Sequence, residues 1–236
     1  MVKSVLYSTL LYWLSSYDFP LSISREIERI CSNFLWKGRL HTLSWEAICK
    51  PKKEGGFGIR RVNDLCKASG LKNVWRLCNS NSNSLWALWM NARYLQTCYY
   101  WEAKAKLLDS GSWKQLIGLK DEALGCMKKI IGNGNSTSLW FEPWLDEGRL
   151  IDYFDHDVPN LSNTTHMKVS YIINEHQWSL NIPAISTIWN SIINVDISDY
   201  EDYWIWRITK DGKFSLFSAW NKVRHADQIF TFHDVI

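Results

Sequence analysis

Three runs of apolar residues at helical spacing, broken once by a basic, glycine-rich turn, constrain this chain most. The clearest is Ile23, Ile27, Ile30 and Phe34, an i, i+4, i+7, i+11 series with Cys31 and Leu35 alongside and Arg25, Glu26, Glu28 and Arg29 on the polar side. Such spacing specifies an amphipathic helix. It starts near Ser22 or Ser24, either of which can cap it. A short helix follows over about 43–49 and ends before Pro51. A longer one, capped by Asn63 or Asp64, carries Leu65, Ala68, Leu71, Trp75 and Cys78. Between the last two lies Lys50-Pro51-Lys52-Lys53-Glu54-Gly55-Gly56-Phe57-Gly58-Ile59-Arg60-Arg61. Gly55, Gly56 and Gly58 let its backbone turn sharply or approach another surface. Lys50, Lys52, Lys53, Arg60 and Arg61, assisted by Lys37 and Arg39, form a candidate phosphate-facing edge. The alternative for the same residues is a solvated basic turn between two packed helices.

The remaining elements alternate helices with short strands. An N-terminal helix spans residues 2–16; its apolar run is too short to cross a bilayer and lacks the small-residue cleavage site of a signal peptide. After the polar link Asn79–Ser84, Leu85, Leu88, Trp89, Ala92 and Leu95 form one face of another helix. Ser112-Trp113 begins a further one. Ile130-Ile131, Gly132-Asn133-Gly134-Asn135 and Leu139-Trp140-Phe141 read as a β-hairpin, and Asp211-Gly212 marks a second. Residues 145–167 read as irregular loop, and helices are expected over 169–176, 184–194 and 218–225. The class is mainly α with small β-hairpins (α+β). Composition divides the chain into a basic, Trp-rich helical region 1–108, a linker 109–150 and an acidic mixed segment 151–236.

Charge sharpens that division. The net charge is +3, but residues 1–108 carry +9, residues 109–150 carry −1 and residues 151–236 carry −5. A polyanion contact therefore belongs to the first part. Fifteen tryptophans demand large aromatic cores or stacking surfaces. The six cysteines fall singly, with no C-x-x-C and no zinc-ligand spacing. Reduced, buried thiols in an intracellular compartment, nucleus or cytoplasm, fit them better than secretion.

Catalytic constellations are scarce. The chain holds no phosphate-loop, nucleophile-elbow, zinc-protease or dinucleotide motif. Asp152, Asp155, His156 and Asp157 crowd together but lack a glycine at the bend, so no metal is assigned to them. Asp199, Glu201 and Asp202 read as a solvated acidic face. No catalytic residue, cofactor or small-molecule substrate is assigned.

The ordered motifs carry a resemblance. Lys3-Ser4-Val5-Leu6 with Tyr12, Pro20, Phe34-Leu35-Trp36-Lys37-Gly38 and Trp45-Glu46-x-Ile48-Cys49-Lys50-Pro51-Lys52-x-Glu54-Gly55-Gly56-Phe57-Gly58-Ile59-Arg60 are followed by Trp75-Arg76-Leu77, Leu85-Trp86 and Ser112-Trp113. Ile131-Gly132-Asn133-Gly134, Leu139-Trp140-Phe141-x-Pro143-Trp144 and Asp211-Gly212-Lys213-Phe214-Ser215 complete the series. Together they resemble the region after the palm of plant non-LTR (LINE-type) retrotransposon reverse transcriptases, running into the start of the reverse-transcriptase zinc-binding domain. Phe57 replaces the usual Leu, and Trp144 directly follows Pro143 where Asp-x-Trp is usual. The family's magnesium-binding Y-x-D-D turn and zinc ligands have no counterpart here, which implies a fragment truncated at both ends. What the resemblance implies is a helical thumb-like region, a linker and an incomplete C-terminal module. Its partner would be an RNA/DNA duplex held by the backbone without reading sequence, with no catalysis by this chain and no membrane. The other expectation is an inactive structural or interaction remnant of a decayed element.

Overall fold

The computed structural model describes residues 7–14, 19–36, 43–79, 84–154, 166–179 and 183–224. The helices are α1 (Tyr7–Leu14), α2 (Leu21–Trp36), α3 (Trp45–Cys49), α4 (Val62–Cys78), α5 (Leu85–Tyr94), α6 (Gly111–Gly118), α7 (Lys120–Leu124), α8 (Trp189–Ile193) and α9 (Leu216–Val223). The strands are β1 (Met127–Ile130), β2 (Ile173–Asn174), β3 (Gln177–Trp178) and β4 (Tyr203–Trp206). The class is mainly α with two small antiparallel two-stranded sheets, β1–β4 and β2–β3. The chain forms two compact units: residues 1–73, 109–116 and 215–236, and residues 74–108 and 117–214.

In the first unit, α2 presents a different face inward from the one its hydropathy predicts. Ser24 and Cys31 are 2% exposed, whereas Ile23, Ile30 and Phe34 are about half exposed, at 48%, 54% and 52%. The inward series Ser24, Glu28, Cys31, Leu35 has the same spacing as the apolar one, shifted by one residue. Two long-range contacts select it. The Glu28 carboxylate accepts the Val62 N–H at 2.7 Å, satisfying an orphan donor at the start of α4. Ser24 Oγ lies 3.7 Å from Cys66 Sγ, a close approach that only small side chains permit. Asn63 and Asp64 therefore do not cap α4; they lie in its first turn. The Ser69 hydroxyl donates to the Leu14 carbonyl at 2.6 Å. Leu14, Ile48, Val62, Leu65 and Leu71 are buried apolar residues of this unit.

In the second unit, the core gathers Ile131, Leu139, Trp140, Trp144, Leu145, Leu150, Val169, Ile172, Ile185, Ile188 and Ile192. The expected apolar side of residues 184–194 is therefore buried, although only Trp189–Ile193 is α-helical and Pro183–Ile188 is 3-10. Trp144 stacks on Trp178 at 5.8 Å, and its indole N–H donates to the Leu139 carbonyl at 2.9 Å. Here α5 departs from its predicted face: Leu85, Leu88 and Trp89 are exposed, and Ala87 and Met90 are buried.

Both sheets correct the hairpin expectations. β1 does not fold back onto Leu139–Phe141; it pairs with β4, more than 70 residues on, in the register Met127↔Trp206, Lys129↔Trp204. β4 supplies partners along one edge of β1, and on the other edge the Lys129 N–H donates to the Pro143 carbonyl at 2.8 Å. Asp211-Gly212 does form a turn, with Gly212 at φ +68°, but Trp206 N–H bonds the Gly212 carbonyl at 2.7 Å and no second strand follows among the described residues. The predicted helix over 169–176 is instead a 3-10 turn (Val169–Ile172) leading into the β2–β3 hairpin. Its turn residues Glu175 and His176 sit at φ +48° and +61°, a left-handed conformation unusual for such residues, so no sequence signal marked it. The predicted loop over 145–167 contains a short 3-10 helix, Leu150–Tyr153.

Candidate functional site

The basic turn of the first unit is built mostly by its own backbone. Ser44 caps α3, its hydroxyl accepting the Ala47 N–H at 3.1 Å. Beyond α3, Lys52–Glu54 forms a 3-10 turn and Gly55 takes a left-handed φ of +81°. The Phe57 N–H donates to the Ile48 carbonyl at 3.0 Å, and the Gly58 N–H to the Lys50 carbonyl at 2.8 Å. Gly56 is required sterically: a Cβ there would lie 2.0 Å from the Lys50 carbonyl oxygen.

Five of the seven cations named from sequence fall among the described residues, in three situations; Lys37 and Arg39 lie outside the described residues. Lys52 and Lys53 are exposed at the tip of the turn, with no ion pair among the described residues. Lys50 is half-buried at the end of α3. Arg60 and Arg61 have intramolecular partners. The Arg60 guanidinium lies 4.8 Å from the Trp220 ring centre and 5.8 Å from that of Phe217, and Arg61 pairs with Glu46 at 2.9 Å on the surface.

The clamp on this turn escaped sequence reasoning. Glu54 and Arg224 form an ion pair at 2.9 Å, both side chains largely shielded from solvent. Arg224 also lies 5.1 Å from the Trp220 ring centre, so Trp220 of α9 contacts two guanidinium groups, a favourable electrostatic arrangement for each with the ring. The partners are 170 residues apart in sequence, and no local pattern announces them.

A second polar constellation lies in the second unit. The Asp202 carboxylate accepts the N–H groups of Gly132 (2.8 Å), Gly134 (2.8 Å) and Ser136 (3.0 Å) and the hydroxyls of Ser136 (3.0 Å) and Thr137 (2.7 Å). It is not the solvated acidic residue expected. Burial pushes its pKa up, but the hydrogen bonds from Thr137, Gly132, Gly134 and Ser136 outweigh that and hold the carboxyl below its ordinary range. Asp199 does sit on the surface, 3.2 Å from His176. Beside the loop, β1 turns Lys129 inward, where it pairs with Glu142 at 3.1 Å with both side chains under a tenth exposed. Burial pushes the Glu142 carboxyl up despite Lys129 and the Ser138 N–H, which both favour its ionised form.

The Glu54–Arg224, Lys129–Glu142 and Asp202 contacts hold the chain's own loops in place. Asp152 is held by Arg149, while Asp155, His156 and Asp157 lie outside the described residues. Among the described residues no cluster of His, Cys, Asp and Glu has metal-holding geometry. Cys31, Cys49, Cys66 and Cys126 are buried free thiols, and Cys78 and Cys98 are half-buried ones. Burial, with Glu28 second, pushes the Cys49 thiol up to about 12, so it is unreactive at neutral pH. Among the described residues no helix is long and apolar enough to cross a membrane.

Two curated proteins of Arabidopsis thaliana are similar to the chain. One, named "putative ribonuclease H protein", is 27% identical over 93% of this chain, which covers 37% of that protein. The other, named "uncharacterized mitochondrial protein", is 21% identical over 57% of this chain and 90% of its own length. The chain thus spans little more than a third of the first relative. No family model matches, and no solved structure matches.

Proposed function

We propose that this chain is the region after the palm of a plant LINE-type reverse transcriptase, an RNA-directed DNA polymerase. In this reading it acts as a thumb-like grip on the template–primer duplex and performs no chemistry itself. The observation that carries the reading is the display of Lys52 and Lys53 at the tip of a turn whose backbone is closed on itself. Two ammonium groups with no ion pair among the described residues, carried on a preorganised loop, suit phosphates, because little conformational freedom is lost on contact. The ordered motifs and the similarity to a protein named for ribonuclease H, an activity on nucleic acid, support it. Lys50 stands behind the tip, and Arg60 and Arg61 act mainly by holding the turn. The chain takes no cofactor of its own; magnesium and zinc belong to other parts of such an element.

The test is duplex affinity as a function of salt. Affinity should fall steeply with salt and ignore sequence, and the Lys52→Glu/Lys53→Glu double variant should lower the slope of log K against log salt by about 2. A slope unchanged by charge reversal would sink the proposal.

A second reading, an interaction remnant without nucleic-acid affinity, is favoured by one observation: Trp13 and Trp89 are 49% and 58% exposed, and Ile23, Ile30 and Phe34 add apolar surface near half exposure. Concentration-dependent self-association without duplex binding would decide for it.

A further inference from the structure

The second unit contains a cavity of about 1090 Å³ lined by Tyr99, Tyr203, Asn91, Asn133 and Asn135, with Lys129, Glu142 and Asp202 in its wall. Small-molecule sites commonly occupy roughly 300–1,000 Å³, so there is room for a flat ring with its sugar. We propose that this cavity receives an unpaired nucleobase of a single-stranded nucleic acid. The proposal rests on reading the chain as a nucleic-acid-contacting protein and adds a site that reads a base's ring and edge rather than its phosphates.

Three observations support it. First, the rings are accessible: Tyr203 is 56% exposed, and Tyr99 is half-buried with the Lys168 ammonium 4.8 Å from its ring centre. Aromatic faces beside a cation are the usual platform for single-strand bases. Second, side-chain amides offer a donor and an acceptor together, matching the mixed edge of a base. Asn133 and Asn135 project from the Gly132–Thr137 loop that Asp202 fixes with five hydrogen bonds, so that wall is set before any ligand arrives. The Asn133 side-chain oxygen accepts the Asn135 N–H at 3.0 Å, which orients the first amide. Third, most carboxylates in the wall are already used. Glu142 is tied to Lys129 and Asp202 is saturated by loop donors, leaving Glu201 at the exposed edge. A sugar site would call on open carboxylates to accept hydroxyls; a base site needs rings and amides.

The full chain and a single-stranded tetranucleotide carrying 2-aminopurine, whose fluorescence falls on stacking, provide the test. Saturable quenching is expected. Tyr203→Ala should weaken half-saturation about tenfold and Asn91→Ala about threefold, through one lost amide hydrogen bond, and an abasic tetranucleotide should not compete. Asn135→Ala, on an exposed loop position, serves as a further variant should either of these melt early. Lys52→Glu/Lys53→Glu should leave the quenching amplitude at saturation unchanged, so failure of the duplex grip and failure of this pocket are separately visible. Absence of quenching, quenching indifferent to Tyr203→Ala and Asn135→Ala, or competition by an oligosaccharide as strong as by the tetranucleotide would overturn the proposal.

Discussion

Two glycine-bearing loops, Lys50–Gly58 in the first unit and Gly132–Thr137 in the second, reach order by opposite routes. The first closes on carbonyls within nine residues of its own donors, Phe57 N–H to Ile48 being the widest span. The second closes on Asp202, whose donors lie 65 to 70 residues away. Both hold sterically required glycines: a Cβ at Gly132 would meet the Tyr200 carbonyl oxygen at 2.0 Å and one at Gly134 the Ser170 backbone nitrogen at 2.6 Å, as one at Gly56 would meet Lys50. The glycines look alike in sequence, but what holds each loop does not.

The largest effect should come from removing the distant anchor. Asp202→Ala leaves three backbone N–H groups and two hydroxyls without their acceptor, and hydrogen bonds to a charged group are the stronger kind. We expect a loss of about 3 kcal/mol in urea unfolding at pH 7. Acid should act on the same bond set. The folded-state pKa of Asp202 lies below its unfolded value of about 3.9, so its contribution is complete above pH 4 and disappears as pH falls through the folded pKa. The gap between wild type and Asp202→Ala should therefore narrow below about pH 4. An Asp202→Ala midpoint matching wild type at pH 7 would mean that the loop organises itself, and the contrast with Lys50–Gly58 would disappear.

Arg224→Ala sharpens the contrast from the other side. It breaks the shielded Glu54 pair and the contact with Trp220, yet the backbone bonds of the basic turn remain. A cost of about 1–2 kcal/mol is expected, below that of Asp202→Ala. Arg224→Lys should recover only part of it, because an ammonium lacks the planar face for the indole. If Arg224→Ala unfolds the protein as far as Asp202→Ala, the basic turn is no more local than the other loop.

The same distinction explains what was legible in the sequence. The bend at Gly55-Gly56 depends on neighbours and could be read; the Ser44 cap of α3 is equally local but was not picked out. The Lys52–Lys53 tip could be read too, since exposure of two lysines beside glycines needs no partner. Arg60 and Arg61 were named as phosphate ligands because Trp220 and Glu46, which hold them, lie outside any local window. Ile130–Phe141 read as a hairpin because its turn composition is right; β4, which outcompetes Leu139–Phe141 for β1, is far along the chain. Lys129 could have been noticed, because it alternates with Met127 on the inward side of a short strand. Its partner Glu142 could not be chosen from several nearby carboxylates.

The smallest expected effect concerns the helix α2, where hydropathy and structure disagree over a rotation of one residue. Glu28 reaches across 34 positions to the first N–H of α4, so Glu28→Ala removes a cap and should cost about 1 kcal/mol. Ile30→Ser deletes an apolar side chain that is more than half exposed, so it should change stability by no more than about 0.5 kcal/mol. Thermal melts of the two variants in parallel decide the matter. The order Glu28 above Ile30 is the reverse of what the Ile23, Ile27, Ile30, Phe34 series predicts from burial alone. If Ile30→Ser were the more damaging variant, the apolar series would be the packed face, and the Ser24–Cys66 and Glu28–Val62 contacts would not set the rotation of α2. The reversal follows from geometry: small residues at 24 and 31 let α2 approach closely, and one hydrogen bond to an otherwise orphaned donor fixes which of two equally spaced faces turns inward.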